Sequence, residues 1–146
     1  MYLVDTNVIS TSAPTKRLAA DSQFISWMQK ENDRLFLSAI TIAEIELGIV
    51  QLERREATTK AAQLQKWLQA IERLYGNRIL SFDIEAARHA GIKLDRVRAL
   101  NMGFADVAIA AIAGAHGLTI LTANTKDFAP LGVRLLNPFL DDLPNR

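Results

Sequence analysis

The first residues of the chain, Tyr2-Leu3-Val4, form an unbroken apolar triplet closed by an acid, Asp5, and two small polar residues, Thr6 and Asn7. Continuous rather than alternating hydrophobicity marks a strand buried on both faces, as in a parallel sheet covered by helices. Asp5 then stands at the carboxyl end of a central strand, the edge where open α/β sheets bind their ligands. A carboxylate buried there without a partner is costly. The function of the chain therefore turns on which other polar groups return to Asp5.

The same alternation recurs downstream. Leu35-Phe36-Leu37 reads as a second buried strand ending at Ser38, Ile79-Leu80 as a third, Thr119 to Thr122 as a fourth and Val133 to Leu136 as the last. Helical periodicity fills the gaps. One segment, about 20–32, carries Phe24, Ile25, Trp27 and Met28, with Asp21 or Ser22 as its cap. Another places Ile42, Ile45, Ile49 and Leu52 on one stripe. A third, capped by Thr58 or Thr59 and stopped by Gly76-Asn77, turns Ala62, Leu64, Leu68, Ile71 and Leu74 inward. Asp83 caps a fourth through Ala86, Ala87, Ala90 and Leu94, and an Ala-rich helix runs from Phe104 to Ala115. Strands alternating with helices predict an α/β fold: a central, mostly parallel sheet of four to five short strands with helices on both faces.

At 146 residues, 49% of them hydrophobic, the chain has the size and the core of one domain spanning 1–146. Its formal net charge of +1 means that any polyanion site is a local patch rather than a property of the whole surface. The absence of cysteine removes disulfides, thiolate metal sites and a cysteine nucleophile together, in keeping with a reducing cytoplasm. No stretch has the pattern of a signal peptide or the length of a membrane span, since even Phe104 to Ala115 is interrupted by Asp106. A soluble, cytoplasmic protein is expected.

Four segments deliver polar groups to strand ends or helix starts: Asp5, Glu44, Asp106, and Asn124 with Asp127. Oxygen ligands without His or Cys point to Mg²⁺ or Mn²⁺ rather than zinc. Each acid also has a plain structural use. Glu44 follows Thr41 at capping-box spacing, and Asp106 could cap its helix, although Phe104-Ala105 ahead of it places it already inside. Several acids at one edge raise one another's pKa unless a divalent cation compensates, which favours the metal reading for the set. Glu46 is read as a solvated or interface charge, His89 and His116 as structural, and Trp27 and Trp67 as packing residues. Arg96, Arg98 and Lys126 are the candidates for phosphate contact.

With Asp5-Thr6-Asn7 after the first strand, Ala43-Glu44-Ile45 and Gly48 in an early helix, Asp106-Val107-Ala108-Ile109-Ala110-Ala111, and Thr122-Ala123-Asn124-Thr125-Lys126-Asp127-Phe128, the chain resembles the PIN-domain family. Within it, the chain is similar to VapC-type toxins of the FitB-like branch. The resemblance implies a three-layer α/β/α fold and a Mg²⁺- or Mn²⁺-dependent endoribonuclease acting on RNA, with transfer RNA among the substrates of such toxins. It also implies a homodimer inhibited by a small cognate antitoxin. Asp5, Glu44 and Asp106 match the family's three core acids, with Asp5 and Asp106 binding metal most directly. Thr6, Asn7 and Thr122 are the supporting polar residues. At the fourth acidic position this sequence has Asn124, with Asp127 three residues on, and an amide brings no charge and cannot act as a base. Two alternatives stay open. Asn124 favours a PIN-like module that binds RNA or a partner without cleaving, and a receiver-like phosphoacceptor would need a second acid where Thr6 stands.

Overall fold

The computed structural model describes residues 1–15 and 22–145. Among these residues five short strands form one sheet: β1 (Tyr2–Val4), β2 (Leu35–Ser38), β3 (Ile79–Leu80), β4 (Thr119–Leu121) and β5 (Leu135–Leu136). Their spatial order is β3-β2-β1-β4-β5 and every pairing is parallel. The chain lays down β1, β2 and β3 in one direction, then returns to the far side of β1 for β4. That reversal makes the carboxyl ends of β1 and β4 the switch point at which open α/β sheets form a crevice.

Side-chain alternation assigns the two faces. Tyr2, Val4, Leu35, Leu37 and Leu121 point into a core shared with α1 (Thr6–Ile9), α2 (Ser22–Lys30), α3 (Ala39–Arg54) and α4 (Thr58–Tyr75). Leu3 and Ile120 point the other way, against α5 (Ile84–Arg96), α6 (Phe104–His116) and Phe128 of α7 (Thr125–Phe128). The result is the expected three-layer α/β/α arrangement, and the strands read as unbroken apolar runs because both faces are covered. Small residues of α6, from Ala108 to Ala113, are fully buried and let that helix lie close to the sheet. No helix among the described residues is long and apolar enough to cross a membrane.

Several local expectations shift. Thr58 and Thr59 lie inside α4, whose N-cap position is Ala57 with no side-chain cap. The inward stripe of α4 is Ala61, Leu68, Ile71 and Tyr75, whereas Ala62 and Leu74 face solvent. The aromatic Tyr75 takes the buried place at the last turn. In α5, Ala87 and Leu94 are exposed, and the buried positions are Ala86 and Ala90. The last strand begins at Leu135 rather than Val133, although Arg134 still accepts from the Ile120 N–H. Asp21 falls outside the described residues. The stop at Gly117 is as expected, with the left-handed φ of 64° that glycine tolerates.

Asp83 does cap α5, accepting from the Ala86 N–H at 2.9 Å. Asp83→Ala is expected to lower the melting temperature by about 2 to 4 °C, corresponding to roughly 1 kcal/mol for one lost cap. An unchanged thermal melt by circular dichroism means that packing alone sets the start of α5.

Candidate active site

The site is assembled at the carboxyl edge of β1, β2 and β4. Asp5 follows β1 directly and is the N-cap of α1: its Oδ1 accepts from the Thr6 N–H at 2.8 Å. Its Oδ2 accepts from Asn7 Nδ2 at 3.0 Å and from the Thr122 hydroxyl at 2.8 Å. Thr122 is fully buried at the end of β4, so the two strands flanking the switch point are tied together through the carboxylate. Asn7 spans the same gap, accepting on Oδ1 from the Ala123 N–H at 3.2 Å. The Asp5 side chain is therefore fixed by three groups from two segments, and it is only 5% exposed.

Burial pushes the Asp5 carboxyl up from 3.8 to about 6; the bonds from Thr122 and Thr6 pull it back, and the nearby charges of Asp106 and Glu44 push it up further. Asp106 lies in the first turn of α6, behind the N-cap Gly103, so it is not the cap. Its pKa is also raised, first by burial, then by Glu44 and by Asp127. Among the described residues its carboxylate has no hydrogen-bond or ion-pair partner. Glu44 sits on α3, where its Oε1 accepts from the Thr6 hydroxyl at 2.8 Å. The cap of α3 is Ser38, which accepts from the Thr41 N–H at 3.0 Å, so Glu44 belongs to no capping box.

The four acids thus share one electrostatic neighbourhood without closing on a point: among the described residues no three of them stand close enough to enclose an ion. Asp127 and Asn124 are exposed on or beside α7. The Asn124 backbone N–H donates to Thr122 Oγ1 at 3.0 Å, while its side-chain amide is unpartnered among the described residues.

The PIN domain family model matches residues 2–132. The chain belongs to the PIN-domain family. It is 34% identical to Toxin FitB of Neisseria gonorrhoeae, over 97% of this chain and all of that one. It is 31% identical to VapC ribonuclease Y4jK of Sinorhizobium fredii, over 95% of this chain and 98% of that one. Among solved structures, FitAcB from Neisseria gonorrhoeae superposes with a TM-score of 0.80 at 33% identity, covering 96% of this chain and 99% of that one.

In this PIN domain the expected basic contacts are dispersed. The Arg96 guanidinium packs on Gly132, where a Cβ would overlap it. Gly132 leads into β5 from the amino edge, so the structure carries Arg96 away from the acids: α5 begins at Asp83, just past the carboxyl end of β3, and runs down to the opposite edge. Arg98 bonds the Asp95 carbonyl at 2.9 Å and pairs with the Asp95 carboxylate at 3.6 Å, both side chains largely exposed. Lys126 alone shares an element with Asp127. The two residues not anticipated as part of the site are Ser38 and Thr41, both fully buried beneath Thr6. The signal for them was the Ser38-x-x-Thr41 spacing at the start of α3.

An apolar concavity lies elsewhere. A cleft of about 510 Å³ between α1, α2 and α4, lined by Val8, Ile9, Phe24, Met28, Ile71 and Leu74 among others, has no charged residue among the described residues of its lining. It offers apolar contact, whereas the carboxylates gather at the sheet edge.

Proposed function

We propose that the chain, acting over its whole length as one PIN domain, is the toxin of a toxin–antitoxin pair: a cytoplasmic, Mg²⁺- or Mn²⁺-dependent endoribonuclease hydrolysing RNA phosphodiester bonds. The observation that carries this reading is Asp5, a buried carboxylate at the switch point, raised by burial and by two neighbouring acids and, among the described residues, faced by no cationic side chain. The donor set is all oxygen, and His89 and His116 lie on α5 and at the end of α6, away from it. Mg²⁺ is commonly held by one or two carboxylates together with substrate phosphate and water rather than by a closed protein cage, which suits acids that share a neighbourhood without converging.

In this reading Asp5 and Asp106 would hold the ion, Glu44 would complete the set or orient the attacking water, and Thr6, Asn7 and Thr122 fix the Asp5 and Glu44 carboxylates. A divalent cation held there would supply charge neutralisation at the scissile phosphate and a more acidic water. Asn124 or Asp127 supports the far side of the site, and Lys126 contacts RNA phosphate. Sequence similarity to a VapC ribonuclease and to Toxin FitB supports the toxin assignment and a small antitoxin as partner. Exposed Leu47 and Val50 on α3, with Ile84 and Ile92 on α5, provide apolar surface for a homodimer and for that partner.

Incubation of the purified protein with structured RNA and Mn²⁺, with and without EDTA, tests the proposal. Scission that requires Mn²⁺ and stops with EDTA is the expected result. Binding without scission identifies a module that has lost catalysis, and uptake of phosphate from a small phosphodonor identifies a receiver.

A further inference from the structure

We propose that Thr41 is a positioning residue for Glu44, acting through a chain of hydroxyl groups that runs from the cap of α3 through Thr6 to the Glu44 carboxylate. The inference rests on the metal-dependent nuclease reading and adds two residues to it, Thr41 and Ser38.

Counting protons gives the chain its direction. Thr6 Oγ1 lies 2.8 Å from Glu44 Oε1 and 3.0 Å from Thr41 Oγ1. Thr41 Oγ1 lies 3.2 Å from Ser38 Oγ, and Ser38 Oγ accepts from the Thr41 N–H at 3.0 Å. A hydroxyl has one proton to give, and an ionised carboxylate only accepts. Thr6 must therefore donate to Glu44, which leaves it to accept from Thr41. Thr41 in turn has no proton left for Ser38 and accepts from it. Each hydroxyl then gives one hydrogen bond and takes one, the arrangement in which neighbouring bonds polarise and strengthen one another.

A helical threonine often returns its proton to a backbone carbonyl one turn back. Here the Thr41 hydroxyl meets only Ser38 and Thr6 among the described residues. Both Thr41 and Ser38 are fully buried, so water does not substitute for either link. Glu44 is thereby oriented from the rigid first turn of its own helix, by way of the residue directly after Asp5. The acids at the ends of β1 and beyond β2 are coupled through this chain.

Thr41→Val keeps the shape and removes the hydroxyl, whereas Thr41→Ser keeps the hydroxyl. In RNA-free protein, Mn²⁺ affinity measured from the electron-spin-resonance signal of the free ion is expected to fall about 10-fold or more in T41V and to recover in T41S, the size found when a group orienting a metal ligand is lost. RNA cleavage at fixed Mn²⁺ obeys the same order. In a Glu44→Ala background the T41V effect disappears, because the chain then has nothing to orient. Wild-type affinity in T41V, equal damage in T41S, or a T41V effect that persists in Glu44→Ala overturns the proposal. If T41V melts, Thr6→Val cuts the chain at a partly exposed link, and unchanged Mn²⁺ affinity there is equally fatal to it. Failure of the underlying nuclease reading looks different: the wild-type protein itself then binds no Mn²⁺.

Discussion

Asp5→Asn is expected to reduce RNA cleavage by roughly three orders of magnitude, about 4 kcal/mol of transition-state stabilisation, while leaving the protein at least as stable as the wild type at pH 8. The two halves of this result have one origin. Asp5 is placed where its charge is expensive, and a carboxylate kept at such a cost is kept for its charge. Its folded pKa of about 6 lies above the ordinary 3.8, so the fold favours the protonated form. Stability from this group is fully present below pH 3.8 and is lost as the pH rises through 6. Above that the ionised side chain costs on the order of 3 kcal/mol. Asparagine carries no charge at any pH and escapes this penalty. It gives part back, because its amide presents a donor to Asn7 or to the Thr6 N–H. Thermal melts in EDTA are therefore expected to show the variant equal or higher by a few degrees at pH 8, the gap narrowing below pH 6. A variant that cleaves RNA at the wild-type rate removes Asp5 from the reaction. One that melts lower at pH 8 shows that the three hydrogen bonds outweigh the burial of charge.

The strands and the place of Asp5 at a strand end were legible for the same physical reason. A strand covered on both faces must be apolar throughout, so Tyr2-Leu3-Val4 and Leu35-Phe36-Leu37 stand out, and in a parallel sheet every strand delivers its next residues to one edge. Asp5 and Thr122 meet because β1 and β4 are neighbours. Asp106 was correctly read as lying inside its helix, since Phe104-Ala105 leave it no place as a cap. Resolution failed where local alternatives differ by a residue or two. Ser38 and Thr41 can both cap α3, and nothing in the spacing says that Ser38 takes the backbone while Thr41 faces the site. The four residues of α1 are too few to show a period, and the helix exists because Asp5 caps it. Arg96 was expected to contact phosphate near the acids, whereas its guanidinium packs on Gly132. A helix of thirteen residues is roughly 20 Å long, and α5 uses that length to cross to the other edge.

Mn²⁺ in large excess over its dissociation constant is expected to raise the melting temperature at pH 8 by roughly 5 to 10 °C, with full reversal by EDTA. At about 100 times that constant, a ligand that binds only the folded state adds about 2.7 kcal/mol, and a chain of this size gains a few degrees for each kcal/mol. A preference of such an ion for the folded state would follow from where the acids are placed. Unfolded, the acids are separate and hydrated. Folded, Asp5 and Asp106 are raised by burial and by one another's neighbours, so a divalent cation relieves a strain that folding itself creates. The sign with pH is then fixed, since protons compete for the same carboxylates. The Mn²⁺-induced shift is expected to shrink as the pH falls through 6, where Asp5 takes up its proton, and to vanish in Asp5→Asn. Mg²⁺ gives the same pattern at higher concentration if the donors are all oxygen. A melt at pH 8 that is indifferent to both ions leaves the raised carboxylates with no compensating partner and withdraws the metal from the proposed hydrolysis.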